Sequence, residues 1–215
     1  MSVLSPVELA HVTPLLHSKT RMVFEHPLDP NLLIKVHKSR KNLAEARGVR
    51  VWMANVEDHF QYSTGILRDL TQFVESRYRD YGRVTEYIAP IYGVIDTDLG
   101  LGLLVAAARD SAGLIAPTVR TLLDDGRMTA DRAKALKLML DAIVETELVI
   151  GDLNLENIVL EKADSPDERF LIIDGLGERT FFPVQRWFKF LSARQKRIFA
   201  EKVNRWSAEA VKARS

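Results

Sequence analysis

Between residues 129 and 176 the chain runs as a long amphipathic helix, a loop, a short apolar strand, a polar loop and a second short apolar strand. No other stretch constrains the fold as much. Thr129 is placed to cap the helix, and Asp131 suits its first turn, where a carboxylate meets the positive end of the helix dipole. Ala133, Leu136, Leu140, Ile143 and Val144 recur at helical spacing and give one buried face as far as about Leu148. The stretch IGDLNLENIVL leads into the strand Ile158-Val-Leu, EKADSPDER makes a polar loop, and Phe170-Leu-Ile-Ile ends in Asp174-Gly-Leu-Gly. Two such strands pair as a hairpin, which brings Asp152, Asn157 and Asp174 to one mouth. Asp and Asn are common turn residues because they bond their own backbone. At this spacing they also suit phosphoryl transfer, as a general base and oxygen ligands for magnesium.

The first part of the chain is β-rich. Arg21-Met-Val-Phe-Glu is followed by the turn-rich HPLDPN and then by Leu32-Leu-Ile-Lys-Val. Side chains alternate along a strand, so Lys35 projects from the face opposite Ile34. A lone lysine in an apolar strand is usually an edge residue with its ammonium in water; the other reading is a functional cation. Ser39 to Arg83 is charged and free of proline, and it predicts two helices broken near Tyr62-Ser-Thr-Gly65. In the second, Ile66, Leu67, Leu70, Phe73 and Val74 form an apolar stripe with Asp69 beside it. A strand pair follows, Ile91 to Ile95 and Gly102 to Ala108. Pro183 opens a last helix, with Trp187, Phe188, Leu191, Ile198, Phe199 and Val203 on one side.

The charge is unevenly spread. Eleven acidic residues against two basic ones lie between Asp141 and Glu178; from Pro183 to Ser215 there are nine basic against two acidic. Clustered carboxylates repel one another unless they are spread out or a cation sits among them. The basic tail is either a solvated face or a patch for an acidic partner. The aromatic residues of the tail fit a core better than a base-stacking platform, so a nucleic-acid partner is not expected. There is no cysteine, which excludes disulfide frameworks and thiolate zinc sites. The five histidines lack metal-ligand spacing. No apolar run is long enough to span a membrane, and the opening MSVLSPVELAHVTPLL has no basic start before a long apolar core. A cytoplasmic location is expected.

IGDLNLENIVL resembles the catalytic loop of the protein-kinase-like superfamily, and LIIDGLG resembles its metal-binding strand end. Gly151 before Asp152 is closer to small-molecule kinases of the aminoglycoside and choline type. IIDGLGERTFFPVQRW is similar to the corresponding segment of the PhoP regulatory network protein YrbL family, small bacterial proteins with kinase-like folds. The resemblance implies an α+β, protein-kinase-like fold in one domain over 1–215. Residues 1–108 would form a small β-rich N-lobe and hinge, with a helical insertion at about 39–64, and 109–215 a reduced, mostly helical C-lobe. It implies Lys35 as the phosphate-anchoring lysine, Asp69 as its acidic partner with Glu45 the alternative, and Asp152 as catalytic base. Asn157 and Asp174 would be the magnesium ligands, and Val105, Ala106 and Ala108 the hinge positions that meet adenine. The cofactors implied are ATP and Mg2+, and the activity is phosphotransfer to a small-molecule or lipid-type hydroxyl. HSKTRMVF has no glycine where a phosphate loop is expected. This keeps open a second reading, a pseudokinase acting as a regulatory or interaction module in a bacterial signalling network.

Overall fold

A computed structural model describes residues 5–17, 21–37, 66–78, 84–176 and 189–213, and the protein is mixed α+β. The chain divides into two compact units, one of Met1–Leu70 with Pro90–Ala107 and one of Thr71–Ala89 with Ala108–Ser215.

The first unit holds a five-stranded antiparallel sheet of β1 (Leu16–His17), β2 (Arg21–His26), β3 (Asp29–His37), β4 (Ile91–Thr97) and β5 (Gly100–Ala106), ordered β1-β2-β3-β5-β4. β3 starts three residues before the predicted Leu32. His26 Nδ1 accepts the Leu28 N–H and Asp29 Oδ1 accepts the Asn31 N–H, so Pro27 and Leu28 alone make the turn. Pro30 then falls near the start of the strand, where a missing N–H is tolerated.

The sheet is covered on both faces. Ile34, Val36 and Phe24 pack with Leu9 on one side, while Leu33, Leu103, Val105 and Ile91 pack with Ile66 on the other. The first face is tight at Gly102, where a Cβ would come within 2.5 Å of Ile34 Cγ2. Ile66 opens α1, described over 66–78. Its buried residues are Ile66, Asp69, Gln72, Phe73 and Ser76, whereas Leu67 and Val74 are exposed. The buried stripe is therefore rotated from the predicted one. Asp69 lies within it, its charge offset by ion pairs to Arg21 and Arg68.

The second unit contains α2 (Val119–Asp124), α3 (Ala130–Val144), β6 (Ile158–Glu161), β7 (Arg169–Ile172) and α4 (Lys189–Lys212). The hydroxyl of Thr129 caps α3 by accepting the Arg132 N–H, as its position predicts. Leu136, Met139, Leu140 and Ile143 form the buried face of α3, which packs on α4 and β7. β6 and β7 pair antiparallel from Ile158↔Ile172 to Glu161↔Arg169. On α4 the buried row is Lys196, Ala200, Val203 and Ser207, and Ile198 is exposed. The predicted apolar face placed Ile198 inward; a lysine with main-chain acceptors takes the buried row instead. Trp187 and Phe188 lie outside the described residues. Among the described residues no helix is long and apolar enough to cross a membrane.

Candidate active site

The hairpin brings together three of the residues singled out in the sequence. The 150–152 and 173–176 segments are laced at its mouth. Ile150 bridges to Leu176, and the Gly151 and Asp152 N–H groups both donate to Gly175 O, at 2.9 and 3.3 Å. The Ile173 N–H donates to Asn157 O at 2.9 Å. Asn157 Nδ2 reaches back to Asp152, donating to its main-chain oxygen at 2.8 Å and to its carboxylate at 3.1 Å. With Nδ2 turned to Asp152, Oδ1 is the acceptor atom of the Asn157 amide. Asp174 Oδ1 accepts the Gly175 N–H at 2.7 Å.

Asn154 is a turn-forming residue of this loop. Its Oδ1 accepts the N–H groups of Glu156 and Asn157, each at 2.9 Å, the Asx geometry that favours Asn in turns. Asn157 bonds the main chain of its own loop at Asp152 O, as a turn residue does, and also reaches the Asp152 carboxylate. Leu155 is buried between them, and its carbonyl accepts the Arg120 N–H from α2.

Gly175 makes the close approach possible. It sits at φ +86°, in the left-handed region, and a Cβ there would lie 2.6 Å from Asp152 O, 3.0 Å from Asp152 Cβ and 3.1 Å from Asn157 Nδ2. Only glycine fits without pushing the two segments apart. Among the described residues no group of three His, Cys, Asp or Glu side chains is placed to hold a metal. The oxygen donors at this mouth are two carboxylates and one amide.

The far end of the same hairpin is built from charge pairs. Arg132, in the first turn of α3, donates through Nε and Nη2 to both oxygens of Glu168, through Nη2 to Asp164, and through Nη1 to Arg127 O. Arg127 also pairs with Asp164. The Arg132 guanidinium holds the Glu168 and Asp164 carboxyls below the usual carboxylate range, and its own pKa is raised in return.

In the first unit Lys35 is buried in the middle strand, opposite Val23 and Leu103, so the edge-strand reading does not apply. Alternation puts Arg21, Leu33, Lys35 and His37 on the sheet face that Ile66 covers. Asp69, one turn on from Ile66, is 3.3 Å from Arg21 Nη2 and 3.6 Å from Arg68 Nη2. Glu45 lies outside the described residues. At the predicted hinge Val105 and Ala108 are buried. The Ala106 N–H donates to Pro90 O, the Ala107 N–H to Asn31 O, and Ala108 O accepts the Ala116 N–H. Elsewhere in this unit Asp98 accepts the N–H groups of Leu9 and Ala10, bonds that lower its pKa.

A family model described as PhoP regulatory network protein YrbL matches residues 7–206. The chain belongs to that family. It is 21% identical over 194 residues to the "Uncharacterized protein YrbL" of Escherichia coli (strain K12), covering 88% of this chain and 82% of that one. The Shigella flexneri protein of the same description matches with the same identity and coverage. Every candidate site residue, from Lys35 to Asp174, falls inside the span shared with the YrbL family.

Two residues of the mouth carry no role in the sequence reading. Gly175 was visible as the glycine after Asp174, but its clash partners come from another loop. Asn154 had the spacing of an Asx turn to Glu156.

Proposed function

We propose that the protein is a kinase-like phosphotransferase that moves the γ-phosphoryl group of ATP to the hydroxyl of a small-molecule or lipid-type acceptor. The observation that carries this reading is the pair of bonds from Asn157 Nδ2 to Asp152. They fix the carboxylate of a candidate base and leave the amide oxygen of Asn157 for a ligand. A five-stranded sheet in one unit, and a mainly helical second unit with a short hairpin, supports the kinase-like placement. So does family membership across most of the chain.

Asp152 orients the acceptor hydroxyl and takes its proton as that oxygen bonds to the γ-phosphorus. The bond from phosphorus to the bridging oxygen breaks, and ADP leaves. Asn157 Oδ1 and the Asp174 carboxylate would hold Mg2+, which neutralises phosphate charge during transfer. A set this small suits magnesium, which takes one or two protein carboxylates and completes its shell with phosphate and water. Lys35 holds the α and β phosphates, with Asp69 or Glu45 as the acid that orients it. The backbone of Val105, Ala106 and Ala108 carries adenine, through groups other than those bonded to Pro90, Asn31 and Ala116.

A second reading, a pseudokinase serving as a regulatory or interaction module, is favoured by the glycine-free HSKTRMVF segment. The exposed cations of α4, among them Arg194, Arg197, Lys202 and Arg205, would then face an acidic partner. Calorimetry with ATP tests the first reading. Mg2+ is expected to tighten ATP binding about tenfold or more, a coupling of about 1.4 kcal/mol, and Asp174→Asn to abolish that gain. Asp152→Ala is expected to bind ATP normally and to transfer no phosphate. Equal Mg2+-dependent binding by Asp174→Asn overturns the metal role. Binding without transfer in the wild-type chain, over a broad acceptor screen, selects the pseudokinase reading.

A further inference from the structure

The most unusual buried group in the second unit is Lys196. It stands on the inward row of α4, only 2% exposed, where Ala200, Val203 and Ser207 continue the row. Its ammonium donates to three main-chain carbonyls, Ile143 O at 3.0 Å, Thr146 O at 2.5 Å and Leu148 O at 3.2 Å. All three belong to the last turn of α3 and the segment after it. The last carbonyls of a helix have no N–H donor within the helix, and a cation there also meets the negative end of the helix dipole. Burying an ammonium costs several kcal/mol unless its hydrogens are satisfied. An apolar side chain at 196 could be buried as Val203 is, but it would not gather three carbonyls.

The gathered turn leads directly into the candidate site. Thr146 Oγ1 donates to Ile143 O and accepts the Leu148 N–H, which tightens the same turn. From there every residue to Asp152 is tied. Leu148 O binds Lys196, the Val149 N–H donates to Gln72 Oε1 of α1, Ile150 bridges to Leu176, and the Gly151 and Asp152 N–H groups donate to Gly175 O. Three residues, Val149, Ile150 and Gly151, separate the lysine's last acceptor from Asp152, and each is held by a bond or bridge.

We infer that Lys196 is a positioning residue, whose ammonium shapes the turn after α3 and so sets where the loop carrying Asp152 begins. The role rests on the phosphotransferase reading of Asp152, and it makes α4 part of the site's scaffold rather than an appended tail.

The test compares Lys196→Met with Val203→Ala, a second buried position of the same row two turns away. Both variants of the full chain lower the melting temperature. The same loop carries Asn157, tied to Asp152 O and to its carboxylate, so the inference expects Lys196→Met to lose the Mg2+-dependent stabilisation by ATP while Val203→Ala retains it; equal retention or equal loss in the two overturns it. Should Lys196→Met not fold, Thr146→Val, which removes only the hydroxyl's bonds in that turn, takes its place in the same comparison. If the wild-type chain shows no ATP response, the phosphotransferase reading fails, and amide hydrogen exchange decides the positioning role by itself. Exchange at Gly151, Asp152 and Ile173 about tenfold faster in the turn variant than in Val203→Ala upholds it, and equal exchange rejects it.

Discussion

The two ends of the β6–β7 hairpin are made from the same acidic stretch of sequence and are held by different chemistry. At the far end, Asp164 and Glu168 are locked by the guanidinium of Arg132, with Arg127 as a second cation. At the near end, Asp152 and Asp174 are set by the amide of Asn157 and by main-chain N–H groups around Gly175. Arginine makes the far end a staple between the hairpin loop and the start of α3. At the near end the Asn157 amide and main-chain N–H groups orient the carboxylates. A residue's acidity therefore says little about its role here; the type of donor that holds it says more.

The largest effect is expected from changing the near end at its tightest point. Gly175→Ala forces a Cβ to within 2.6 Å of Asp152 O and places alanine in a left-handed conformation. Strain and overpacking together cost about 3 kcal/mol, seen as a drop in melting temperature, and Mg2+-dependent ATP binding is lost with it. An alanine variant with unchanged melting and binding would show that the two loops do not need their close approach.

Breaking the far end is expected to cost stability alone. Arg132→Met removes the bonds to Glu168 and Asp164, at a cost of about 2 kcal/mol. This is below the figure for a fully buried pair because Asp164 is largely exposed. ATP coupling should survive; its loss would erase the distinction between the two ends.

Acid sharpens the same contrast. Asp164, Glu168 and Asp98 have folded-state pKa values below their unfolded ones. Their contribution is present above the unfolded carboxylate range, about pH 4, and is lost as pH falls through the lower folded values. Melting temperature should decline as pH drops from about 5, and Glu168→Gln should show a shallower decline from a lower starting point. Parallel curves for the two proteins would remove Arg132–Glu168 from the acid response. The smallest effect is expected at Asn154→Ala, which loses the Asx turn that delivers Asn157, at about 1 kcal/mol; ATP binding weakens with it, and a silent variant would make that turn incidental.

These regions also differ in how far the sequence disclosed them. The cap of Thr129, the α3 face at Leu136, Leu140 and Ile143, and the pairing of the two short strands follow from spacing alone, because local rules and burial agree there. The faces of α1 and α4 do not. In both helices polar residues occupy the buried row, Asp69, Gln72 and Ser76 in one and Lys196 and Ser207 in the other, so counting apolar residues rotates the stripe. For Asp69 and Lys196 the partners come from distant positions, Arg21 and the end of α3. Asp152, Asn157 and Asp174 were legible as a set from the hairpin pattern. Gly175 and Arg132 were not, since their partners are brought close only by the fold.

The central claim is that the near end of the hairpin is a nucleotide–metal site, and thermal unfolding of the full chain with ATP and Mg2+, each alone and together, tests it most directly. A ligand that binds only the folded chain raises its melting temperature, so the account predicts a rise that requires both. No rise at millimolar ATP with Mg2+, or the same rise without the metal, would contradict it.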